Sequence, residues 1–107
     1  MEVNPYAVEV TERFRKHFKE IYDFIQQQSY QSSQKLQKDI VDLVAEICER
    51  PHSYNIAKIA QSKKVFRYVK IMKSYKVYFY VEKEIVVILD ILHEKRSLTS
   101  TDYMEEI

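Results

Sequence analysis

The 107-residue sequence contains no glycine, only two prolines and a single cysteine. Without glycine, a nucleotide site built on a glycine-rich phosphate loop is excluded. The lone Cys48 excludes an internal disulfide framework and fits a reducing compartment. Because glycine is absent, sharp turns that need a positive φ angle must use Asn, Asp, Ser or Lys, at some steric cost.

Long hydrophobic segments are also missing. The longest apolar run, Ile85–Leu89, is far too short to cross a bilayer, and no N-terminal stretch has the layout of a signal peptide. The three histidines and Cys48 show no metal-ligand spacing. We therefore expect one cytoplasmic domain over residues 1–107, with no membrane association, no metal and no cofactor.

Charge is unevenly distributed although the net charge is only +1. Residues 63–96 carry nine bases and four acids, whereas residues 97–107 carry three acids and no base. The near-neutral total argues against indiscriminate nucleic-acid binding, but the basic stretch could steer an acidic partner. Alternatively, its lysines only solvate exposed strand faces.

The first half of the chain predicts a short strand and two amphipathic helices. Residues 6–10 favour a strand, Thr11 and Ser29 are suited to cap helices, and Pro51 marks the end of the second helix. Apolar residues recur at helical spacing in both segments. They are Phe14, Phe18, Ile21, Tyr22 and Ile25, then Leu36, Ile40, Leu43, Val44 and Ile47.

The second half predicts three antiparallel strands after a polar loop, at residues 65–72, 75–81 and 85–92, with turns at Ser74 and Lys83-Glu84. The fold class is therefore α+β in the order β-α-α-β-β-β, with a core over about residues 6–97 and an acidic tail at 98–107. We expect the helices to cover one face of the sheet. The other face would then present tyrosines and basic side chains.

Several segments resemble the RelE/ParE superfamily of toxins. The segment from Arg67-Tyr68 to Ser74-Tyr75-Lys76-Val77-Tyr78-Phe79-Tyr80-Val81 is similar to the family's paired strands. The run Ile85-Val-Val-Ile-Leu-Asp-Ile-Leu-His-Glu-Lys-Arg96 is similar to its closing strand with His-x-x-Arg. The segment from Ile21 through Ser29 to Leu36 is likewise similar to the family's first helical hairpin. Two departures are Lys76, where the family commonly has arginine, and the absence of the family's glycines.

The resemblance implies one of two mechanisms. RelE-like members are ribosome-dependent endonucleases that cut mRNA; here Arg67, Lys76 and Arg96 would supply positive charge, with His93 or Tyr103 in proton transfer. ParE-like members poison DNA gyrase and need a recognition surface but no catalytic set. The near-neutral charge and the weak catalytic set favour the ParE-like mechanism. An inactive binding module is a third possibility.

Each candidate residue also has a structural interpretation. His93 would hydrogen-bond a strand end, and Arg96 would pair with Glu46 or Glu49. Tyr103 lies in the acidic tail, which is a poor setting for RNA contact. Tyr78 and Tyr80 would contact the target or the antitoxin, or simply cover the sheet.

The resemblance further implies a partner. A toxin of this kind is held inactive in a heteromeric complex with a cognate antitoxin, whose disordered tail folds as it binds. We expect the antitoxin or the target to contact Lys76, Tyr78, Tyr80, His93 and Arg96.

Overall fold

The structure is a computed structural model that describes residues 6–59, 64–96 and 98. The predicted α+β class and the β-α-α-β-β-β order are confirmed, with one short strand added between the helices and the meander. In chain order, the elements are β1 (Ala7–Val10), α1 (Glu12–Gln28), α2 (Tyr30–Glu49), a 3₁₀ turn (Pro51–Ser53), β2 (Asn55–Ala57), β3 (Phe66–Ile71), β4 (Tyr75–Glu82) and β5 (Ile85–His93).

The two helices begin where their capping residues stand. The Thr11 hydroxyl accepts a hydrogen bond from the Phe14 N–H at the start of α1. Ser29 ends α1 and also caps α2, because its hydroxyl accepts from the Ser32 N–H. A single capping serine therefore separates the helices, and this short link gives the predicted αα-hairpin.

The five strands form one sheet in the order β1-β5-β4-β3-β2. The predicted meander of β3, β4 and β5 is antiparallel, and β2 adds antiparallel to β3. The N-terminal strand β1 pairs in parallel with β5, with Ala7 opposite Ile85 and Val10 opposite Ile88. The chain thus returns its last strand to lie beside its first.

The turns of the meander use positive φ angles without glycine. Lys73 and Lys83 adopt φ values of 66° and 57°, in line with the expectation that lysine would take such positions. Met72, with φ 51°, lies outside the residue types we expected. It is partly buried against the helix-side core, and we infer that this packing offsets the steric cost of its conformation.

The sheet buries apolar side chains on both faces. The helix face, which packs against α1 and α2, has a core that includes Leu36, Ile47, Val77 and Phe79. The opposite face, here called the open face, carries a second buried cluster. It comprises Phe66, Tyr78, Tyr80, Val87, Leu89, Leu92 and Leu98.

The expectation that Tyr78 and Tyr80 are presented at the surface is therefore wrong. They are only 3% and 7% exposed, because residues outside the meander, Ala57, Ile59 and Leu98, pack over this face. Alternation along β4 was predicted correctly, but it cannot indicate what covers the second face.

Candidate functional site

A β-bulge in β5 places a charged residue where it can meet α1. Tyr78 pairs with Asp90 and Phe79 pairs with Ile88, so Leu89 is the extra residue. Asp90 reaches α1, and the next residue, Ile91, packs in the helix-side core. The bulge thus allows both residues to contact the helical layer.

Asp90 is fully buried and bound by three donors. Arg13 Nε donates to Oδ2 at 2.8 Å, and the Ile91 N–H donates to Oδ1 at 2.8 Å. His17 Nδ1 lies 2.6 Å from Oδ1 and must carry the proton, since a carboxylate bound by an arginine acts as the acceptor. The Thr11 hydroxyl adds a 2.7 Å bond to the Leu89 carbonyl.

We call this set of contacts, made by Thr11, Arg13 and His17 to Leu89 and Asp90, the Asp90 anchor. Because the carboxylate is out of solvent and held by several donors, the arrangement is suited to fixing α1 on β5 rather than to reacting with a substrate. The contact of Asp90 with α1 was not predicted from the sequence. A lone acid inside the apolar strand at residues 85–92 was the available signal.

Three of the predicted site residues lie at one end of the sheet, where β4 begins and β5 ends. Tyr75 pairs with His93, and Lys76 pairs with Leu92. Arg96 follows in a turn in which its N–H donates to the His93 carbonyl at 2.9 Å. We call this region the basic end; its charged and titratable members are Lys70, Lys73, Lys76, His93, Lys95 and Arg96, beside Glu94.

Lys76 and His93 nevertheless belong to opposite faces. Lys76 Nζ lies 5.0 Å from the centre of the Tyr68 ring on the open face. The His93 ring stands edge-on to Tyr75, 5.6 Å between centroids, and Tyr75 packs against the helix-side core. His93 Nδ1 accepts the Lys95 N–H at 3.2 Å, which is the strand-end contact expected under the structural interpretation of this histidine.

Arg67 is separate from the other predicted cations. It pairs with Phe79 on the helix face, and its Nη1 donates to the Tyr54 carbonyl at 2.7 Å. Tyr54 in turn donates its hydroxyl to Glu46 at 2.7 Å, and burial, together with this bond, raises the pKa of the phenol. Arg67 therefore holds the segment before β2 against the sheet, with the sheet between its side chain and that of Lys76.

The open face contains a groove of about 210 Å³ beside the buried tyrosines. Burial raises the pKa of Tyr78, whose oxygen is hydrogen-bonded by the Leu98 backbone. We call the 210 Å³ groove beside these tyrosines the open-face groove. It is lined by Ile56, Ala57, Lys58, Ile59, Tyr68, Lys76, Tyr78 and Leu98, which include two lysines and no acid.

Other site classes find little support in the part of the chain that the structure describes. Within residues 6–59, 64–96 and 98, no group of three or more His, Cys, Asp or Glu side chains is arranged to hold a metal ion. In the same ranges, neither helix is both long and apolar enough to span a membrane. Tyr103 lies outside the described residues.

Comparison with known proteins gives a match over most of the chain. Residues 8–98 match the family described as the ParE toxin of the type II toxin–antitoxin system, parDE. No curated protein matches the sequence. A solved structure described as the chromosomal ParDE TA system from P. aeruginosa is similar, with a TM-score of 0.68 at 16% identity. The similarity covers 85% of this chain and 98% of that one, and at this identity it supports the fold alone.

Proposed function

The chain belongs to the ParE toxin family of type II toxin–antitoxin systems, and from that premise we propose that it arrests growth by poisoning DNA gyrase and is neutralised by a cognate antitoxin. Of the two mechanisms that the superfamily resemblance implies, gyrase poisoning needs a recognition surface without a catalytic set. The positions of the candidate residues favour that mechanism.

The observation that carries the proposal is the separation of the groups a nuclease would need. Phosphodiester cleavage requires a proton acceptor and cations that converge on one phosphate. Arg67 lies on the helix face and is bound to the Tyr54 carbonyl, whereas Lys76 lies on the open face over Tyr68. One bound phosphate cannot contact both side chains across the sheet.

We propose the basic end as the surface that contacts the target. Its cations and His93 lie at the same end of the sheet, where β4 begins and β5 ends, with Glu94 as the acid beside Lys70. Clustered positive charge speeds association with an acidic protein surface or with DNA held by an enzyme. His93 and Arg96 would contribute as contact residues there, and Lys76 would add its charge from the open face.

The antitoxin is proposed to cover the open face and to extend to the basic end. Lys76 belongs to both regions, so a partner bound there would block the target surface. Tyr78 and Tyr80 can take part only where the cover over them is displaced, because both are buried.

Purified protein added to a gyrase supercoiling and DNA-cleavage assay tests the target. We expect supercoiling to fall and cleaved DNA to accumulate, and the purified antitoxin to reverse both effects. In parallel, translating ribosomes with a defined mRNA test the nuclease alternative. Message cleaved only in the presence of ribosomes, with gyrase unaffected, would refute gyrase poisoning.

Variants test the proposed contact surface. Lys76→Ala, His93→Ala and Arg96→Ala together should abolish growth arrest on expression without antitoxin. The matched control is Lys16→Ala, which removes an exposed charge from α1. Circular dichroism would verify that each variant is folded. Toxicity that survives the triple substitution would show that the basic end is not the contact surface.

A further inference from the structure

A pocket of about 390 Å³ lies on the helix face of the sheet, where β3 begins and β4 ends. We call it the Arg67 pocket; it is lined by His52, Lys64, Val65, Arg67 and Val81. Its volume falls within the range of small-molecule sites, about 300–1,000 Å³. The basic end lies at the opposite end of these two strands, so the pocket is separate from the proposed target surface.

Arg67 lacks a counter-charge in the part of the chain that the structure describes. Its side chain is partly buried, and its Nη1 donates to the Tyr54 carbonyl, which is neutral. It forms no ion pair with a described residue, and the described lining residues include no acid. A guanidinium carries five N–H donors, so several remain to bind an anion. A partly buried cation in this state favours an anionic ligand, because the ligand would balance its charge.

Lys64 does not compete for that anion. Its Nζ lies 3.0 Å from Glu82 Oε1 and 4.7 Å from the centre of the Tyr80 ring, which belongs to the open-face cluster. The lysine charge is thus already balanced by an acid. The single charge of Arg67 is matched by a carboxylate, whose two oxygens fit the planar guanidinium through parallel hydrogen bonds. A phosphate group carries about 1.5 to 2 negative charges at neutral pH and would exceed it.

The rest of the wall indicates what accompanies the carboxylate. Val65 is 55% exposed, and Val81 is partly buried beside the helix-side core. Covering Val65 would remove apolar surface from water, which favours an apolar group on the ligand. His52, whose Nε2 lies 3.4 Å from the Tyr6 hydroxyl, carries at least one ring N–H in either tautomer. The lining therefore combines a cation, a further donor and an apolar patch.

We propose that the Arg67 pocket binds a carboxylate that carries a branched apolar group. The carboxylate pairs with the Arg67 guanidinium and accepts a hydrogen bond from His52, while the apolar group packs on Val65 and Val81. Free branched-chain acids and the C-terminus of a peptide that ends in valine or leucine both offer this chemistry. The proposal goes beyond gyrase poisoning and does not depend on it.

Isovalerate is the first probe, and isovaleramide is its matched control, because it keeps the apolar group but carries no charge. In titrations of the isotope-labelled protein followed by NMR, isovalerate should saturably shift the amide signals of Val65, Arg67 and Val81. Isovaleramide should bind about tenfold more weakly or less, the loss expected when hydrogen bonds to a charged group are removed. Equal binding of the two probes, or inorganic phosphate binding as tightly as isovalerate, would overturn the proposal.

A substitution on the exposed wall tests the site without disturbing the core. Val65→Glu places a carboxylate two residues before Arg67, so it should occupy the guanidinium and weaken isovalerate binding by about tenfold. The matched control is Val41→Glu, which adds the same charge at an exposed valine of α2 outside the pocket and should bind like the parent. Equal affinities of these two variants would contradict the assignment. Arg67→Gln should also lose binding, with circular dichroism to verify its fold.

A peptide that ends in valine separates the two sources of the carboxylate. If the peptide with a free C-terminus binds more tightly than isovalerate, and its amidated form does not bind, the site takes the end of a peptide chain. If the peptide binds no more tightly than isovalerate, the site takes a free acid. Binding that amidation leaves unchanged would refute carboxylate recognition. None of these readouts involves gyrase or growth, so their failure leaves the proposed function intact.

Discussion

Both faces of the sheet bury apolar side chains, but the two faces are covered in different ways. On the helix face, Leu36 and Ile47 from α2 and Phe14 from α1 pack against β4 and β5, and the Asp90 anchor ties α1 to the bulge. On the open face, Tyr78 and Tyr80 are covered by Ala57, Ile59 and Leu98, which lie outside the helices and the meander.

The difference shows that the burial of a side chain and the free energy needed to expose it by local opening are separate properties. A helix is held by its whole apolar stripe, so uncovering any one residue beneath it requires moving the whole element. Short irregular segments open locally at a lower free energy than the core. The helix face is therefore suited to hold the fold together, and the open face is suited to exchange its cover for a partner.

Breaking the Asp90 anchor should have the largest effect on stability. Asp90→Asn leaves Arg13 facing a neutral amide in a buried site, and we expect the free energy of unfolding to fall by about 3–5 kcal/mol. Urea denaturation measures the loss. The matched control is Asp42→Asn, which breaks an exposed pair with Lys38 and should cost far less, because solvent screens such pairs. Equal losses in the two variants would mean that the anchor contributes little.

Replacing one buried leucine on each face with alanine tests how strongly the cover of that face contributes to stability. Leu36→Ala removes a fully buried side chain between α2 and the sheet and should cost about 2–5 kcal/mol. Leu98→Ala should cost less than about 2 kcal/mol, because Leu98 lies outside the helices and strands and is not held in place by a whole element as Leu36 is. Amide hydrogen exchange would also compare the free energy of local opening on the two faces. A larger loss for Leu98→Ala than for Leu36→Ala would contradict the comparison.

A smaller effect is expected at the start of α1. Thr11→Ala removes both the cap of the Phe14 N–H and the bond to the Leu89 carbonyl, and should lower the unfolding free energy by about 1–2 kcal/mol. Thr11→Ser keeps the hydroxyl and serves as the control. If serine fails to restore stability, the methyl group rather than the hydrogen bonds is responsible.

The smallest effect should appear at alkaline pH. Burial raises the pKa of Tyr78 on the open face, and burial with the Glu46 bond raises that of Tyr54 on the helix side. The folded state therefore holds protons that the unfolded state releases above about pH 10, so stability falls as the pH rises beyond that value. Denaturation midpoints at about pH 8 and about pH 11, on either side of that value, measure the fall.

Phenylalanine variants show which face is responsible for that alkaline loss. Tyr78→Phe and Tyr54→Phe each remove one contribution, so the midpoint should change less between the two pH values than in the parent. The raised pKa of Cys48, caused by its burial, acts in all three proteins alike. An unchanged pH dependence in both variants would remove the tyrosines as its source.

The sequence predicted the elements well because local signals specify them. Thr11 and Ser29 mark both helix starts, and the change from helical to alternating periodicity separates the hairpin from the meander. The strand β2 was missed because its three residues lie in a polar loop and pair only through contact with β3. The bulge was missed because residues 85–92 are apolar on both sides of the strand, so alternation cannot indicate register.

The candidate site was harder to predict because it depends on which residues meet across the sheet. The placement of Lys76, His93 and Arg96 at one end follows from the order of β4 and β5, which the sequence indicated. The opposite faces of Lys76 and His93 follow from the bulge, which shifts the alternation of β5 relative to β4. The Asp90 anchor joins Asp90 to Arg13, which is 77 positions away, and to His17, which is 73 positions away. No local sequence pattern reports such a contact.

That separation bears on when the protein can become active. The parallel ladder joins Ala7 to Ile85, and Arg13 pairs with Asp90, so neither contact can form until β5 has been synthesised. Contacts between such distant positions also slow folding, because a long loop must close before they are made. A nascent chain therefore completes its sheet only after β5 has been synthesised, and until then the start of β4 and the end of β5 cannot together form the basic end.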